Sequence, residues 1–247
     1  MRNNWFLVLF LSLFITPLCA QQTESIEEHI TIVDDESCGC ELIFVDSIQT
    51  TRRDGLFGFK LADGRELVTP KYMFVDQWHG DYCIVLMDYD HYGLINRRGV
   101  EVVPCNYNKV DYPSDGMIRV TQGDRMGYLT EQGAQAIDIQ YRGASGFSEG
   151  LAVVALDVDS NYVEYVYIDK QGGITLRNDY EYAYPFFNGH AVVKKYDRFG
   201  LIDKQGRERL PIKYEMVTAV DQHGNFIVRA PMGDKLAVFS TRTFAPV

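Results

Sequence analysis

Residues 199–214 read Phe-Gly-Leu-Ile-Asp-Lys-Gln-Gly-Arg-Glu-Arg-Leu-Pro-Ile-Lys-Tyr, and the spacing within this stretch decides the fold because it recurs along the chain. Gly206 follows Gly200 by six residues, and Tyr214 follows Gly206 by eight. The same offsets recur in four other segments, which begin at Phe57, Tyr92, Met126 and Tyr165. The glycines at the second position are Gly64, Gly99, Gly133, Gly172 and Gly206, and the tyrosines are Tyr72, Tyr107, Tyr141, Tyr180 and Tyr214. Internal periodicity of this kind indicates a repeat protein, with five copies across residues 57–228.

Each copy is predicted to form β structure. Short apolar runs such as Ala191–Val193 and Gly200–Ile202 are β-prone and too short for helices. The segment Asp203–Arg207 predicts a hairpin turn whose glycine takes a positive φ. Proline precedes the tyrosine in three copies and should end the third strand or lie on a sheet edge: Pro70, Pro104 and Pro211. We expect three strands per copy, then a turn-rich stretch in which a further glycine introduces the next apolar run.

The chain ends fit the same scheme. Leu42–Val45 resembles a first strand that lacks its preceding copy, and Lys235–Val247 resembles a truncated sixth copy with Leu236–Phe239 as its hairpin strand. Truncated terminal units act as caps in repeat arrays. The predicted fold is an all-β tandem array of antiparallel β-hairpins over residues 42–247. An open, twisted stack is preferred over a β-propeller, since propeller blades usually hold four strands in about 40 residues.

The pattern resembles the WG-repeat (KWG) family of bacterial proteins. The resemblance rests on the aromatic–glycine dipeptides, on Ile202-Asp203-Lys204-Gln205-Gly206, on Pro70-Lys71-Tyr72, and on the run from Phe147 to Val154. It covers about three quarters of the chain. No copy keeps the tryptophan, and Val166 replaces one glycine. The resemblance implies an exported or surface repeat protein and no common activity.

The N-terminus predicts export. Arg2 precedes an apolar run from Trp5 to Ile15, Pro17 breaks the segment, and Ala20 is the small residue before a cut. We expect residues 1–20 to be a secretory signal peptide and the mature protein to be secreted or periplasmic. The run is too short for a membrane anchor, which needs about 20 residues. A lipid anchor through Cys19 is the alternative, disfavoured by Leu18 before that cysteine.

The overall charge excludes one class of partner. The formal net charge is −10, and removal of residues 1–20 makes it one unit more negative. Residues 21–41 are acidic and predicted to be a flexible leader, with Ile30–Val33 as its one ordered candidate. An acidic chain without a basic stripe repels a phosphate backbone, so we expect no nucleic acid partner.

Two acidic segments invite a calcium interpretation that fails on spacing. Asp157-Val158-Asp159-Ser160-Asn161 begins like a calcium loop, but Tyr162 and Ile168 stand where a glycine and a bidentate acid belong. Asp88-Tyr89-Asp90 fails likewise, with Gly99 at the last position. The first segment lies in an insertion, because the third-to-fourth copy spacing is 39 residues against 34 or 35 elsewhere. A polar hairpin insertion is the preferred interpretation.

The sequence predicts no catalytic, cofactor-binding or metal-ligating residue. The histidines share no metal-ligand spacing: His29, His79, His91, His190 and His223. Nothing pairs a serine or cysteine with a histidine and an acid in a recognisable order. Acids such as Glu149 and Glu208 could serve glycoside hydrolysis, but sequence does not give their separation.

Four cysteines remain after signal removal, and they allow three disulfide pairings: Cys38, Cys40, Cys83 and Cys105. Partial or no pairing is the preferred interpretation, since Cys83 lies in an apolar strand that suits a buried thiol. The recurrent tyrosines are predicted to be structural, because a structural requirement recurs in every copy and a binding site usually does not.

These observations favour a non-catalytic binding or scaffold protein of the cell envelope that contacts a protein or glycan through its repeat surface. An envelope enzyme such as a glycan hydrolase is the alternative, and it would have two carboxylates lining a cleft. No cofactor is expected.

Overall fold

The computed structural model describes residues 30–31, 43–44, 48–158, 163–177, 179–231 and 235–246. These residues form 24 β-strands and no helix. Accordingly, no described segment is a helix long and apolar enough to span a membrane. The signal peptide and most of the leader lie outside the described residues.

The strands follow one another as short antiparallel elements. Their bounds are β1 Ile30–Thr31, β2 Ile43–Phe44, β3 Gln49–Arg53, β4 Leu56–Lys60, β5 Glu66–Tyr72, β6 Phe74–Val75, β7 Tyr82–Leu86, β8 Tyr92–Asn96, β9 Glu101–Tyr107, β10 Lys109–Val110, β11 Met117–Gln122, β12 Arg125–Thr130, β13 Gln135–Tyr141, β14 Gly143–Ala144, β15 Ala152–Asp157, β16 Val163–Ile168, β17 Ile174–Arg177, β18 Tyr182–Ala183, β19 His190–Lys195, β20 Arg198–Asp203, β21 Glu208–Tyr214, β22 Met216–Val217, β23 Asn225–Arg229 and β24 Leu236–Ser240.

Consecutive strands pair into small sheets. Four sheets hold four strands each, in the orders β6-β7-β8-β9, β10-β11-β12-β13, β14-β15-β16-β17 and β18-β19-β20-β21. The sheets β3-β4-β5 and β22-β23-β24 hold three strands, and β1 pairs with β2. The predicted all-β tandem array of antiparallel hairpins is confirmed.

The expected three strands per copy are wrong, because the turn-rich stretch contains a fourth. A two-residue strand begins two residues after each recurrent tyrosine and pairs with the first long strand of the next copy, as Phe74 and Val75 pair with Leu86 and Val85. This pairing satisfies backbone groups that the stretch would otherwise leave unpaired. The open stack was preferred because three strands per copy are fewer than the four of a propeller blade. With four strands per sheet, this difference no longer distinguishes the two architectures.

The chain divides into two compact units, residues 1–70 and 71–247. In the first unit β1 pairs with β2, with Ile30 opposite Phe44. The expectation that Leu42–Val45 is the first strand of the first copy is therefore wrong. That strand is Gln49–Arg53, which pairs with β4. In the second unit the hairpin strand predicted at Leu236–Phe239 is confirmed as β24, paired with β23.

The predicted hairpin turns are confirmed, and the glycine in each has a positive φ, for example +81° at Gly172. The N–H of Gly172 donates to the carbonyl of Asp169 at 2.9 Å. The side chain of Asp169 accepts the N–H groups of Gln171 and Gly173 at 3.0 and 2.8 Å. The Asp-Lys-Gln-Gly motif is thus a turn whose aspartate satisfies the backbone donors inside the bend.

The glycine in the second strand of a hairpin, which is Gly58, Gly93, Gly127 or Gly200, has a different role. A Cβ atom added at Gly127 would lie 2.8 Å from the carbonyl oxygen of Asp138 and from the Cα of Ile139. A second strand therefore needs a glycine at the point where a seven-residue third strand passes close to its backbone. The pairing of the two strands shifts register at this point. Pro104 lies within such a third strand, which is the edge of its sheet, so the edge placement predicted for proline is confirmed.

The fourth copy departs from this arrangement where Val166 replaces the glycine. Its third strand, β17, has four residues and ends at Arg177, which pairs with Val166. A valine cannot accept a strand passing across its Cα, so the shorter strand follows from the substitution.

In the second unit, neighbouring sheets bury both of their faces. Val153 packs with Tyr167 and residues of the following sheet, and Val154 packs with Tyr128 of the preceding sheet. Successive side chains of a strand point to opposite faces, which explains why Ala152 to Ala155 are all buried. Each sheet thus depends on its neighbours for its core.

Hydrogen bonds between turns tie these sheets together along one edge. The Ser114 hydroxyl donates to the carbonyl of Phe147 at 2.7 Å, and the Ser148 hydroxyl donates to that of Phe186 at 2.6 Å. Asp115 accepts the N–H of Gly150 and lies 3.0 Å from Nζ of Lys170. Glu149 makes equivalent contacts with Gly189 and Lys204 of the following sheet, so Ser-Asp-Gly and Ser-Glu-Gly are connector motifs.

We expect Gly172→Ala to lower the free energy of unfolding by about 1–2 kcal/mol, because an alanine at a positive φ is strained. Gly143→Ala is the matched control. Gly143 lacks a positive φ, and the new Cβ would make an ordinary contact at 3.5 Å. Chemical denaturation of both variants measures the difference. Equal stabilities for the two variants would contradict the role given to the turn glycines.

Candidate functional site

One cluster of potential metal ligands lies at the tip of the β7–β8 hairpin. Ligand atoms of Asp88, Asp90 and His91 all lie within 4.8 Å of one another. From sequence spacing, the two aspartates were considered as calcium ligands and His91 only among the histidines, whereas the hairpin tip brings all three side chains together. Nδ1 of His91 contacts a carboxylate oxygen of Asp88. A hydrogen bond between His91 and Asp88 accounts for the arrangement.

The acidic insertion is described only at its ends, since residues 159–162 lie outside the described residues. Asp157, at the end of β15, contacts Nη1 of Arg125, and its other oxygen lies 2.8 Å from Nε of Arg142. The hydrogen bond from Arg125 holds the pKa of the Asp157 carboxyl below its ordinary value, with Arg142 adding to the effect. Asp157 is therefore an ionised partner of two arginines.

A cleft of about 500 Å³ opens beside this ion pair. It is lined by Gln140, Tyr141, Leu156, Asp157, Val158, Glu164 and Arg177. Glu164 lies 3.2 Å from Nε of Arg177. Two carboxylates thus line one cleft, which is the feature expected of the hydrolase alternative. Each is held by arginine, however, and the lowered pKa of Asp157 is the opposite of what a general acid requires.

The other carboxylates considered for hydrolysis, Glu149 and Glu208, belong to different sheets. Glu149 accepts the N–H of Gly189 at 3.0 Å and lies 3.1 Å from Nζ of Lys204. Glu208 begins β21 and is exposed. Glu149 has a connecting role between sheets.

The two cysteines within the described residues are free thiols, Cys83 and Cys105. Cys83 is buried, as predicted for an apolar strand, and burial raises its pKa to about 12. Burial likewise raises the pKa of Cys105 to about 11. Both thiols are protonated at neutral pH and are weak nucleophiles. Cys38 and Cys40 lie outside the described residues.

The recurrent tyrosines belong largely to the core. Tyr72, Tyr141 and Tyr180 are buried, and Tyr107 and Tyr214 are half-buried. The Tyr72 hydroxyl donates to Oε1 of Glu101 at 2.8 Å. Burial, aided by that carboxylate, raises the pKa of Tyr72 far above its ordinary value. This placement agrees with the structural role predicted for them.

Two tyrosines, Tyr182 and Tyr184, lie at the surface beside the half-buried Tyr165, and the three are here called the tyrosine cluster. The ring centroid of Tyr182 lies 4.9 Å from that of Tyr165 and 4.8 Å from that of Tyr184. Tyr182 and Tyr184 are each 42% exposed, and they flank the buried Ala183. Lys194, opposite Tyr182, lies 2.7 Å from Asp197, so its charge is paired.

Comparison with known proteins gives the family. Four consecutive segments match the family model described as WG containing repeat: residues 92–125, 126–157, 167–198 and 199–230. These matches cover more than half of the chain. The chain belongs to the WG-containing repeat family. No curated protein sequence matches it significantly.

Solved structures similar to this WG-repeat protein have low identity. They include the designed protein Ika8 (12% identity, TM-score 0.41, 81% of this chain and 73% of that one). A eukaryotic initiation factor matches at 10% identity with TM-score 0.49, over 79% of this chain and 61% of that one. The WD40 β-propeller domain of Doa1 matches at 13% identity with TM-score 0.35, over 83% and 79%. At these TM-scores, the similar structures add nothing to the description of the fold that the strand order provides.

The fourth copy departs most from the pattern that the other copies share. The residue four positions after the recurrent tyrosine is Asp76, Asp111, Ser145 and Thr218 in the other copies, and Tyr184 in this one. In those copies its side chain makes hydrogen bonds, for example from the Tyr112 hydroxyl to Asp76 at 2.9 Å. The short β17, the insertion and the tyrosine cluster all belong to the same copy. Comparing the copies position by position could have identified this cluster from sequence.

Proposed function

We propose that this protein is an exported, non-catalytic binding or scaffold protein of the cell envelope, which contacts a protein or glycan partner through the tyrosine cluster. The observation that carries the proposal is the position of this cluster. Tyr184 stands where other copies hold side chains that stabilise the fold, and it is partly exposed instead. A residue that the fold does not require is available for a partner.

The chemistry of the cluster suits recognition. Tyrosine supplies a large, rigid apolar ring with a polar hydroxyl, and it is enriched where binding energy concentrates. Adjacent exposed rings form an apolar patch on a chain of net charge −10. Because the charge of Lys194 is paired with Asp197, the tyrosine rings are the main groups that a partner would contact here. A neutral or basic partner is favoured by the overall charge.

The absence of catalysis is supported by the state of the carboxylates. Asp157 is ionised between Arg125 and Arg142. Glu149 holds two sheets together through Gly189 and Lys204. The pKa of the Asp157 carboxyl is lowered, whereas a catalytic acid at neutral pH needs a raised pKa.

Export is supported by sequence alone, through Arg2, the apolar run from Trp5 to Ile15 and Ala20. We expect the mature chain to begin at Gln21 outside the cytoplasm. Intact-mass measurement of the exported protein tests this. A mass that retains residues 1–20 would contradict it, and an added diacylglycerol would favour the Cys19 alternative.

The binding proposal predicts loss of capture in the double variant Tyr182→Ala/Tyr184→Ala. Immobilised wild-type protein should retain a partner from envelope extract, and the double variant should retain at least about tenfold less, because truncating a central aromatic contact typically costs more than 1 kcal/mol. Tyr89→Ala is the matched control, since Tyr89 is 89% exposed and lies on another sheet.

Equal capture by wild type, control and double variant would contradict the assignment of the tyrosine cluster. The same preparations are incubated with peptidoglycan and common polysaccharides. Cleavage that disappears when Asp157 or Glu164 is replaced would overturn the non-catalytic proposal.

A further inference from the structure

We propose that the cleft beside β13, lined by residues of strands β15, β16 and β17 and by Val158, binds a neutral saccharide unit. This inference goes beyond the proposed function, because it assigns a saccharide to a site distinct from the tyrosine cluster.

The cleft belongs to the one copy in which the third strand is cut short. In the other complete copies a seven-residue third strand continues to the recurrent tyrosine, as β13 does to Tyr141. In the fourth copy Val166 pairs with Arg177, and β17 ends there. The volume of about 500 Å³ lies within the range of roughly 300–1,000 Å³ that is usual for small-molecule sites.

Within the described residues, each charged side chain that lines the cleft has an ionic partner. Asp157 pairs with Arg125 and Arg142, and Glu164 lies 3.2 Å from Nε of Arg177. An anionic ligand would have to displace the carboxylates, and a cationic ligand would have to displace the arginines. A neutral ligand enters without breaking either set of pairs.

A polyhydroxylated ligand matches the groups that remain. Each sugar hydroxyl both donates and accepts, and the cleft offers the Arg177 guanidinium as a donor beside the carboxylates of Asp157 and Glu164 and the Gln140 amide. Leu156 and the exposed Val158 supply an apolar wall for the C–H face of a sugar ring. Arg125, Asp157 and Glu164 stand on strands, which holds the polar groups in place.

The test uses the full chain with neutral oligosaccharides of glucose, N-acetylglucosamine and xylose as probes. Oligogalacturonate and oligoglucosamine serve as anionic and cationic arms. Titration calorimetry should detect binding of at least one neutral probe in preference to both charged arms. Arg177→Ala should weaken that binding at least about tenfold, because a hydrogen bond from a charged donor is lost.

The matched control is Arg229→Ala, which removes an arginine 3.6 Å from Glu215 on another sheet and should bind as wild type does. Glu164→Gln keeps the side-chain size and provides a second test if Arg177→Ala melts at a lower temperature. Unchanged affinity in both cleft variants, stronger binding of a charged arm, or binding of none of the neutral probes would each overturn the proposal.

The tyrosine double variant separates this inference from the proposed function. It should bind the saccharide as well as wild type does. Saccharide binding lost in that variant and retained in Arg177→Ala would overturn the cleft assignment and leave the proposed function standing. Envelope capture through the tyrosine cluster without any saccharide binding would do the same.

Discussion

Burial of both faces of every interior sheet is the constraint on which the second unit depends. Val192 and Val193 are adjacent, yet they pack into the cores on opposite sides of their sheet. A sheet of four short strands with two apolar faces has no stable existence alone, so each copy is stabilised by its neighbours. The Ser-Asp-Gly and Ser-Glu-Gly connectors add hydrogen bonds between neighbouring sheets at one edge. Without them, only the packing of the cores would hold these sheets together.

The turns and long strands that recur in the copies could be predicted from sequence. Features that depend on pairing between copies or that occur once could not. The turn at Gly206 and the strand at Leu236–Ser240 follow from glycine spacing and apolar runs. The two-residue strands do not, since two residues show no periodicity and their pairing depends on the next copy. Leu42–Val45 was assigned to the wrong sheet because an isolated apolar run does not specify its partner. The cleft depends on which strands come together, and sequence alone does not give this.

The division between recurring and unique residues connects the fold to the proposed function. Recurrent glycines and tyrosines are used by turns, strand crossings and cores, so they are not available for a partner. The fourth copy departs at Val166 and Tyr184, and these changes accompany a shortened strand, a cleft and exposed tyrosines. One substitution in a repeat can thus change a structural position into a surface feature without disturbing neighbouring cores.

The central claim is that the glycine in the second strand of a hairpin lets the third strand cross closely, and amide hydrogen exchange of Gly127→Ala tests it most directly. The added Cβ would lie 2.8 Å from the backbone at Asp138 and Ile139. We expect faster exchange at Asp138–Tyr141 in the variant, which would make β13 resemble the short β17. Gly146→Ala is the control, since its Cβ would be 3.6 Å from Ser114. Unchanged protection of Asp138–Tyr141 in Gly127→Ala would contradict the account.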